Sequence, residues 1–363
     1  GVIGRILGYA ASLIPQITKS PQDIDDAMKL GFNWIRGPFE IMDVLGENIS
    51  KELIQEVGLD IPESLKLMPF YRIKNNNLMI NCFNDNNSDT HIQPIKLPKN
   101  SVRFHLQRKC LKPLERNSSA SLYELENNLR LIEFHSKANA IDEKSVEIIQ
   151  KAINNHGDGI IIHNDAQHFS AGVNLNRFLK FIREKDWNGM DNFLIDFQSA
   201  VKKLKFLHVP VIGAPSGLAI GGGFEVLAHT DKIIAHSNSV LGLVEAEVGL
   251  VPGGGGVKET YIRWLSKSSN PEEAAWNTWM QIGYGKVGTS PETSSELLYF
   301  LEDRDSVEIN RDYLINSSIL AINEINSKGY NPPEKINVSL PGKHILVKME
   351  EFMDKGINKG WFF

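Results

Sequence analysis

Three short stretches of this 363-residue sequence carry residue types at spacings that could support proton transfer beside a developing negative charge. The first is Gly221-Gly222-Gly223-Phe224-Glu225, which follows an apolar run and the loop Ser216–Ile220 and opens the helical pattern FEVLAHT. Glycines there let the chain turn tightly and let a ligand approach the backbone. The Gly222 amide would sit at a helix N-terminus, where unpaired N–H groups and the helix dipole favour a negative oxygen. The second is His168-Phe169-Ser170-Ala171-Gly172-Val173-Asn174, just after the apolar run GIIIHN. Loops leaving the ends of buried strands are where α/β sheets bind ligands, and the Ala171 amide there could be a second donor. The third, Leu243-Val244-Glu245-Ala246-Glu247-Val248-Gly249-Leu250-Val251-Pro252, runs into Gly253–Gly256. Glu225 and Glu245 are flanked mainly by apolar residues, and a buried carboxylate needs a partner or a role. Two of them converging would split their pKa values and could divide acid and base duties.

Taken singly, each stretch has an ordinary explanation. Glycine before a helix more often marks only a turn, and either glutamate could pair with a basic residue such as Arg263 or Lys258. The glycines are not a dinucleotide fingerprint, since no G-x-G-x-x-G follows a strand.

The elements around these stretches read as a layered α/β domain. SLYEL, RLIEF, GIIIHN and VPVIGAP have the texture of strands, and IDEKSVEIIQKAINN and FLIDFQSAVKKLKFL that of amphipathic helices. The N-terminal part differs. GVIGRILGYAASLIPQI reads as an amphipathic core helix, since Arg5 interrupts it and no cleavage site follows. Ser20-Pro21 starts a second helix that Gly31 should stop, Gly37-Pro38 starts another that Gly46 stops, and Ser50 should cap one running through Val57. Between them lies turn-rich sequence, with Asn75-Asn76-Asn77 and Asp85-Asn86-Asn87 separating the strand-like runs Phe70–Ile73 and Leu78–Phe83. KPLERNSSAS reads as a loop into the α/β part. The expected division is therefore 1–58 helical, 59–120 a linking region with a small β element, and 121–363 the α/β domain.

Composition excludes several classes. A net charge of −5 from interspersed charges argues against nucleic acid as a partner. Two cysteines, Cys82 and Cys110, cannot make a disulfide framework, fit free thiols in a reducing cytosol, and join no cluster with metal-ligand spacing. No stretch has the apolar length to span a bilayer, so a cytoplasmic location is expected.

The three stretches, as F-S-A-G-x-N-L, G-L-A-I-G-G-G-F-E and G-L-V-E-x-E-V-G-L-V-P-G-G-G-G, together resemble the enoyl-CoA hydratase/isomerase (crotonase) family over about residues 120–265. Lys137-Ala138-Asn139-Ala140-Ile141 resembles the family's early N-A-(L/I) element, near which CoA runs. The resemblance implies a crotonase-type fold of repeated ββα turns and an oxyanion hole formed by the amides of Ala171 and Gly222. It assigns proton delivery to Cα to Glu245 and water orientation to Glu225, with Glu247 a bystander. Lys137, Asn139, Ala140 and Gly172 would contact the acyl-CoA. The substrate would be a coenzyme A thioester, with no metal and no covalently bound cofactor.

The helical start, P-Q-D-I-D-D-A-M-K-L-G-F-N-W-I-R-G-P-F-E-I-M-D-V-L-G, resembles the C-terminal helical repeat of 3-hydroxyacyl-CoA dehydrogenases. That order is similar to a bacterial bifunctional enzyme of fatty-acid β-oxidation, in which an NAD-binding Rossmann domain precedes it. NAD would belong to that half, absent here, so dehydrogenase activity is not expected of these residues. The amphipathic run Ile345–Ile357, ending at Trp361-Phe362-Phe363, resembles a truncated helical tail that would dock elsewhere, as in a homo-oligomer or with a dehydrogenase or thiolase partner. The expected activity is hydration of trans-2-enoyl-CoA to 3-hydroxyacyl-CoA. The alternatives are an enoyl-CoA isomerase, or a non-catalytic subunit or fragment of a larger dehydrogenase/hydratase.

Overall fold

The structure, a computed structural model, describes residues 1–84 and 90–360. The expected turn at Asp85-Asn86-Asn87 and the aromatic end Trp361-Phe362-Phe363 lie outside the described residues. The chain forms two compact units, Gly1–Lys112 and Pro113–Phe363.

In the first unit four helices, Val2–Ser12, Pro21–Phe32, Pro38–Leu45 and Glu47–Gln55, precede an antiparallel sheet of Tyr71–Lys74, Asn77–Phe83 and Thr90–Pro94. Lys74 pairs with Asn77, so the connection is only Asn75-Asn76, both at positive φ, the backbone that matches the twist of a two-residue hairpin. The sheet shares one core with the helices: Leu7, Phe39, Met42 and Ile54 pack in the same cluster as Phe70 and Ile80. Two helix boundaries differ from expectation. The second helix runs past Gly31 to Phe32, because Asn33 takes the left-handed position (φ 54°) that glycine was expected to fill. Ser50 is not a cap but a buried residue within Glu47–Gln55, since Gly46 ends one helix and begins the next.

Asp25 ties this unit together. Its carboxylate is fully buried and accepts from the N–H groups of Phe39 (2.8 Å) and Glu40 (3.1 Å) and from the Tyr71 hydroxyl (2.7 Å). A Cβ on Gly37 would run into it, which is why the helix start needs glycine there. Burial, reinforced by nearby Glu40, pushes the Asp25 carboxyl up to about 8.

In the second unit a seven-stranded sheet runs in the order Ser306–Glu308, Lys232–His236, Val211–Ala214, Ile160–His163, Arg130–Phe134, Ala120–Glu124, Glu115–Arg116. The first five are parallel and the last two antiparallel to their neighbours. Glu115–Arg116 lies inside the stretch expected to be a loop. Helices Glu143–Asn154 and Trp187–Lys205 pack on one large apolar core, and Leu314–Ser327 crosses the central parallel strands. A helix not anticipated from sequence, Leu175–Glu184, starts directly after Asn174, whose side chain caps it. A second small layer, Val287–Gly288, Val240–Gly242 and Leu218–Ile220, is extended by bridges from Ser170 to Ala219 and from Val173 to Ile141. Among the described residues no helix is long and apolar enough to cross a membrane.

Asp25→Ala should destabilise the first unit by roughly 2–4 kcal/mol, since two buried N–H groups and a buried hydroxyl lose their acceptor. Urea unfolding of the full chain would measure it, and a loss below about 1 kcal/mol would contradict the role given to this carboxylate.

Candidate active site

Every element of the site is set by backbone pairing at the ends of the parallel strands. The chain leaves Ile160–His163, and Ser170 then joins the strand Leu218–Ile220: the Ser170 N–H donates to the Leu218 carbonyl (2.9 Å) and the Ile220 N–H to the Ser170 carbonyl (3.1 Å). On its other side the Ile141 N–H donates to Gly172 (2.8 Å), and the Asn174 N–H to Ile141 (2.9 Å). Gly172 turns at φ 95°, and Gly223 must lack a side chain because a Cβ there would come within 2.6 Å of the Ser170 Cβ. These constraints bring residues 171–173 against the start of the helix Gly222–Ala228.

The amides differ from expectation in one respect. Ala171 does not offer a free N–H, because it donates to the Ala138 carbonyl (3.2 Å). That carbonyl is aimed by the left-handed pair Ala138 (φ 56°) and Asn139 (φ 52°). The amide that stays without a protein acceptor among the described residues is that of Val173, two positions on. It neighbours Gly222, whose N–H also has none: a Cβ built on Gly222 would lie 3.3 Å from the Val173 nitrogen and 2.8 Å from its side chain. Two free donors therefore stand side by side, and one of them is not the residue that sequence indicated.

Both glutamates are buried beside these amides, Glu225 at 1% and Glu245 at 7% exposure. Oε1 of Glu225 accepts from the N–H groups of Gly254 (2.7 Å) and Gly256 (2.8 Å). Oε1 of Glu245 lies 3.3 Å from where a Gly221 Cβ would be, and its Oε2 has no partner among the described residues. Burial, with the charge of Glu245 second, pushes Glu225 up to about 8, and burial pushes Glu245 to about 7. The basic residues that sequence offered as partners are engaged elsewhere. Arg263 donates to the Leu298 and Tyr299 carbonyls, and Lys258 pairs with Glu259. Glu247 is exposed.

The residues expected to contact CoA fall near one another but are not equivalent. Lys137 is exposed in the short turn Lys137–Asn139, whereas Asn139 is buried and donates to the His168 carbonyl (2.7 Å). Ala140 is half-buried, and Gly172 spends its carbonyl on Ile141. The Asn139 side chain thus ties this turn to the loop that follows Ile160–His163. Sequence reading also missed His229, buried one helical turn after Glu225 and hydrogen-bonded from Nδ1 to the Glu225 carbonyl (2.7 Å). The one available signal was its spacing of four from a glutamate on an apolar helix.

Residues 124–278 match the family model for enoyl-CoA hydratase/isomerase, and residues 2–76 that for the 3-hydroxyacyl-CoA dehydrogenase C-terminal domain. A Bacillus subtilis protein named "Probable 3-hydroxyacyl-CoA dehydrogenase" is 33% identical over 94% of this chain and 44% of its own length. A Rickettsia prowazekii protein, provisionally named a fatty acid oxidation complex trifunctional enzyme, is 27% identical over 99% of this chain and 46% of its own. The chain thus spans somewhat under half the length of these relatives. A crystal structure of an enoyl-CoA hydratase from Thermoplasma volcanium is 20% identical, with 68% of this chain and 85% of that one covered at a TM-score of 0.48. With the two family-model matches the fold is the crotonase type, preceded by a dehydrogenase C-terminal-like helical domain.

The buried carboxylates carry a cost that pH should reveal. Their folded pKa values, about 8 and about 7, lie above the ordinary 4.5, so their contribution to stability is full below about pH 4.5 and is lost as pH rises through 7 to 8. Glu225→Gln keeps the shape without the charge. It should gain on the order of 1–3 kcal/mol relative to wild type between pH 5 and pH 9, read from thermal unfolding. An unchanged difference across that range would mean that the pair is not buried as charged groups.

Proposed function

We propose that this chain, whose residues 124–278 match the enoyl-CoA hydratase/isomerase family model, adds water to trans-2-enoyl-CoA to give 3-hydroxyacyl-CoA in fatty-acid oxidation. The observation that carries the reading is two adjacent amides, Val173 and Gly222, with no protein acceptor among the described residues, beside two buried carboxylates. Attack of water at Cβ of a conjugated thioester moves charge onto the thioester oxygen. Preorganised N–H donors stabilise that charge, and losing one typically costs on the order of a hundredfold or more in rate. In this proposal the oxygen accepts from Val173 and Gly222, with Val173 taking the place first given to Ala171.

The glutamates would divide the proton work. Glu225, with Oε1 fixed by two glycine amides, would orient water with its other oxygen and take its proton as the C–O bond forms. Glu245, protonated, would give its proton to Cα. One proton enters the substrate, one leaves water, and the pair ends with the proton on the other carboxyl. Burial raises both carboxyls above their ordinary range, toward the pH at which a proton can be exchanged, and the two N–H donors on Glu225 favour its ionised form. Exposed Lys137 is suited to a phosphate of the CoA moiety.

Hydration of crotonyl-CoA, followed by loss of the conjugated thioester absorbance, tests the proposal. Glu225→Gln and Glu245→Gln should each lower kcat about a hundredfold or more with KM changed only a few-fold. Turnover of a 3-enoyl-CoA that survives Glu225→Gln would favour isomerisation, and binding of CoA esters without turnover would favour a non-catalytic subunit. The donor assignment has its own check by amide NMR. An unreactive thioester such as acetoacetyl-CoA should move the resonances of Val173 and Gly222 strongly and that of Ala171 little, and the reverse pattern would restore Ala171.

A further inference from the structure

Both donors to the Glu225 carboxylate come from a single glycine turn, and glycines give a turn little stiffness of their own. Two side chains hold this one. Gln198 donates to the Gly253 carbonyl (2.6 Å) at its entrance. His229 lies under its centre: a Cβ built on Gly255, which sits at φ 108°, would be 2.9 Å from His229 Cε1 and 3.1 Å from Nε2. The ring itself is fixed. A carbonyl can only accept, so the 2.7 Å contact to the Glu225 carbonyl puts the ring proton on Nδ1. Its far edge faces Glu259 at 3.5 Å, and Glu259 is held by Lys205 (2.6 Å) and Lys258 (3.0 Å). Glu259 belongs to the helix that Gly256 opens. The contacts form a closed circuit, from the Glu225 backbone through His229 to the glycine turn and back to the Glu225 carboxylate.

We propose that His229 is a positioning residue, its ring forming the floor that holds Gly254 and Gly256 where both donate to Glu225 and so aims the second carboxylate oxygen. The catalytic consequence rests on the hydration reading above; the geometric one does not. Without the ring the turn can sink into the vacated space and Glu225 loses a donor. A donor lost from a carboxylate raises its pKa. Glu225 must be ionised to take a proton from water, so the acid limb of the pH profile moves to higher pH. The other charged groups around the pair and the ring, Glu245, Glu259, Lys205 and Lys258, stay in place.

His229→Ala should lower kcat for crotonyl-CoA about 10- to 100-fold with KM changed less than about threefold. The acid limb of kcat/KM should rise by about one pH unit. His229→Gln, which refills much of the volume and restores an N–H, should recover most of both. Titration of the Glu225 carboxyl by 13C NMR gives a readout independent of turnover, and its midpoint should rise in His229→Ala. An unmoved midpoint overturns the proposal even if wild type proves inactive, in which case the hydration reading alone has failed. An unchanged kcat and pH limb in folded His229→Ala also overturns it. Should His229→Ala not fold, the milder truncation His229→Val decides: a raised Glu225 midpoint supports the proposal, and an unmoved one means that the ring serves stability only.

Discussion

The site depends first on a short backbone ladder. Ser170 pairs with Leu218 and Ile220 through two hydrogen bonds, and with the Ile141 pairing on its other side this sets the loop 170–174 beside the start of the helix Gly222–Ala228. The strands that carry these segments, Ile160–His163 and Val211–Ala214, are fixed as neighbours in the main sheet. The small second layer then repeats their adjacency one level up. A register slip of one residue in the ladder would exchange which side of the loop faces Gly222. Two donors contributed by segments far apart in sequence are thereby held as rigidly as two residues of one strand.

The second constraint is electrostatic, and it opposes stability. Two carboxylates in apolar surroundings resist ionisation, and the protein relieves only part of that strain. Glu225 receives two N–H groups on one oxygen, whereas Oε2 of Glu245 receives none among the described residues. Full satisfaction would have stabilised the fold and fixed both groups as permanent anions. Partial satisfaction leaves both raised toward the pH at which a proton can be taken and returned, as the proposed acid–base exchange requires.

What sequence revealed, and what it hid, follows from the range of the interactions involved. The two glutamates were legible because local sequence, a carboxylate in an apolar run, already implies burial, though not whether a basic partner meets it. The parallel strands RLIEF, GIIIHN and VPVIGAP were legible for the same reason. Whether Ala171 or Val173 has the free amide was not, since the answer lies in a hydrogen bond that Ala171 donates to the Ala138 carbonyl, which is remote in sequence and aimed by two left-handed residues, neither of them glycine. Asn33 likewise replaced Gly31 as a helix end because asparagine tolerates that backbone almost as well, a near-degeneracy that composition cannot resolve. His229 was invisible for a third reason. One histidine on an apolar helix has many ordinary roles, and only the position of Gly255 above it distinguishes this one.

The glycines of the site separate into two physical kinds, and the difference bears on how it works. Gly172, Gly221 and Gly255 lie at positive φ and supply backbone shapes that other residues adopt at a cost. Gly222, Gly223, Gly254 and Gly256 have no such φ and are needed for the space they leave. A side chain on Gly222 would collide with Val173 and crowd the nitrogen that has no protein acceptor, while one on Gly254 would reach within 2.7 Å of Oε2 of Glu225. In the proposed hydration those are the two places where a reacting oxygen would come, the thioester oxygen at the paired amides and the water at the second carboxylate oxygen. The missing Cβ atoms therefore belong to the chemistry as much as the groups that remain, because an amide or carboxylate held ready is useful only if the volume in front of it is empty.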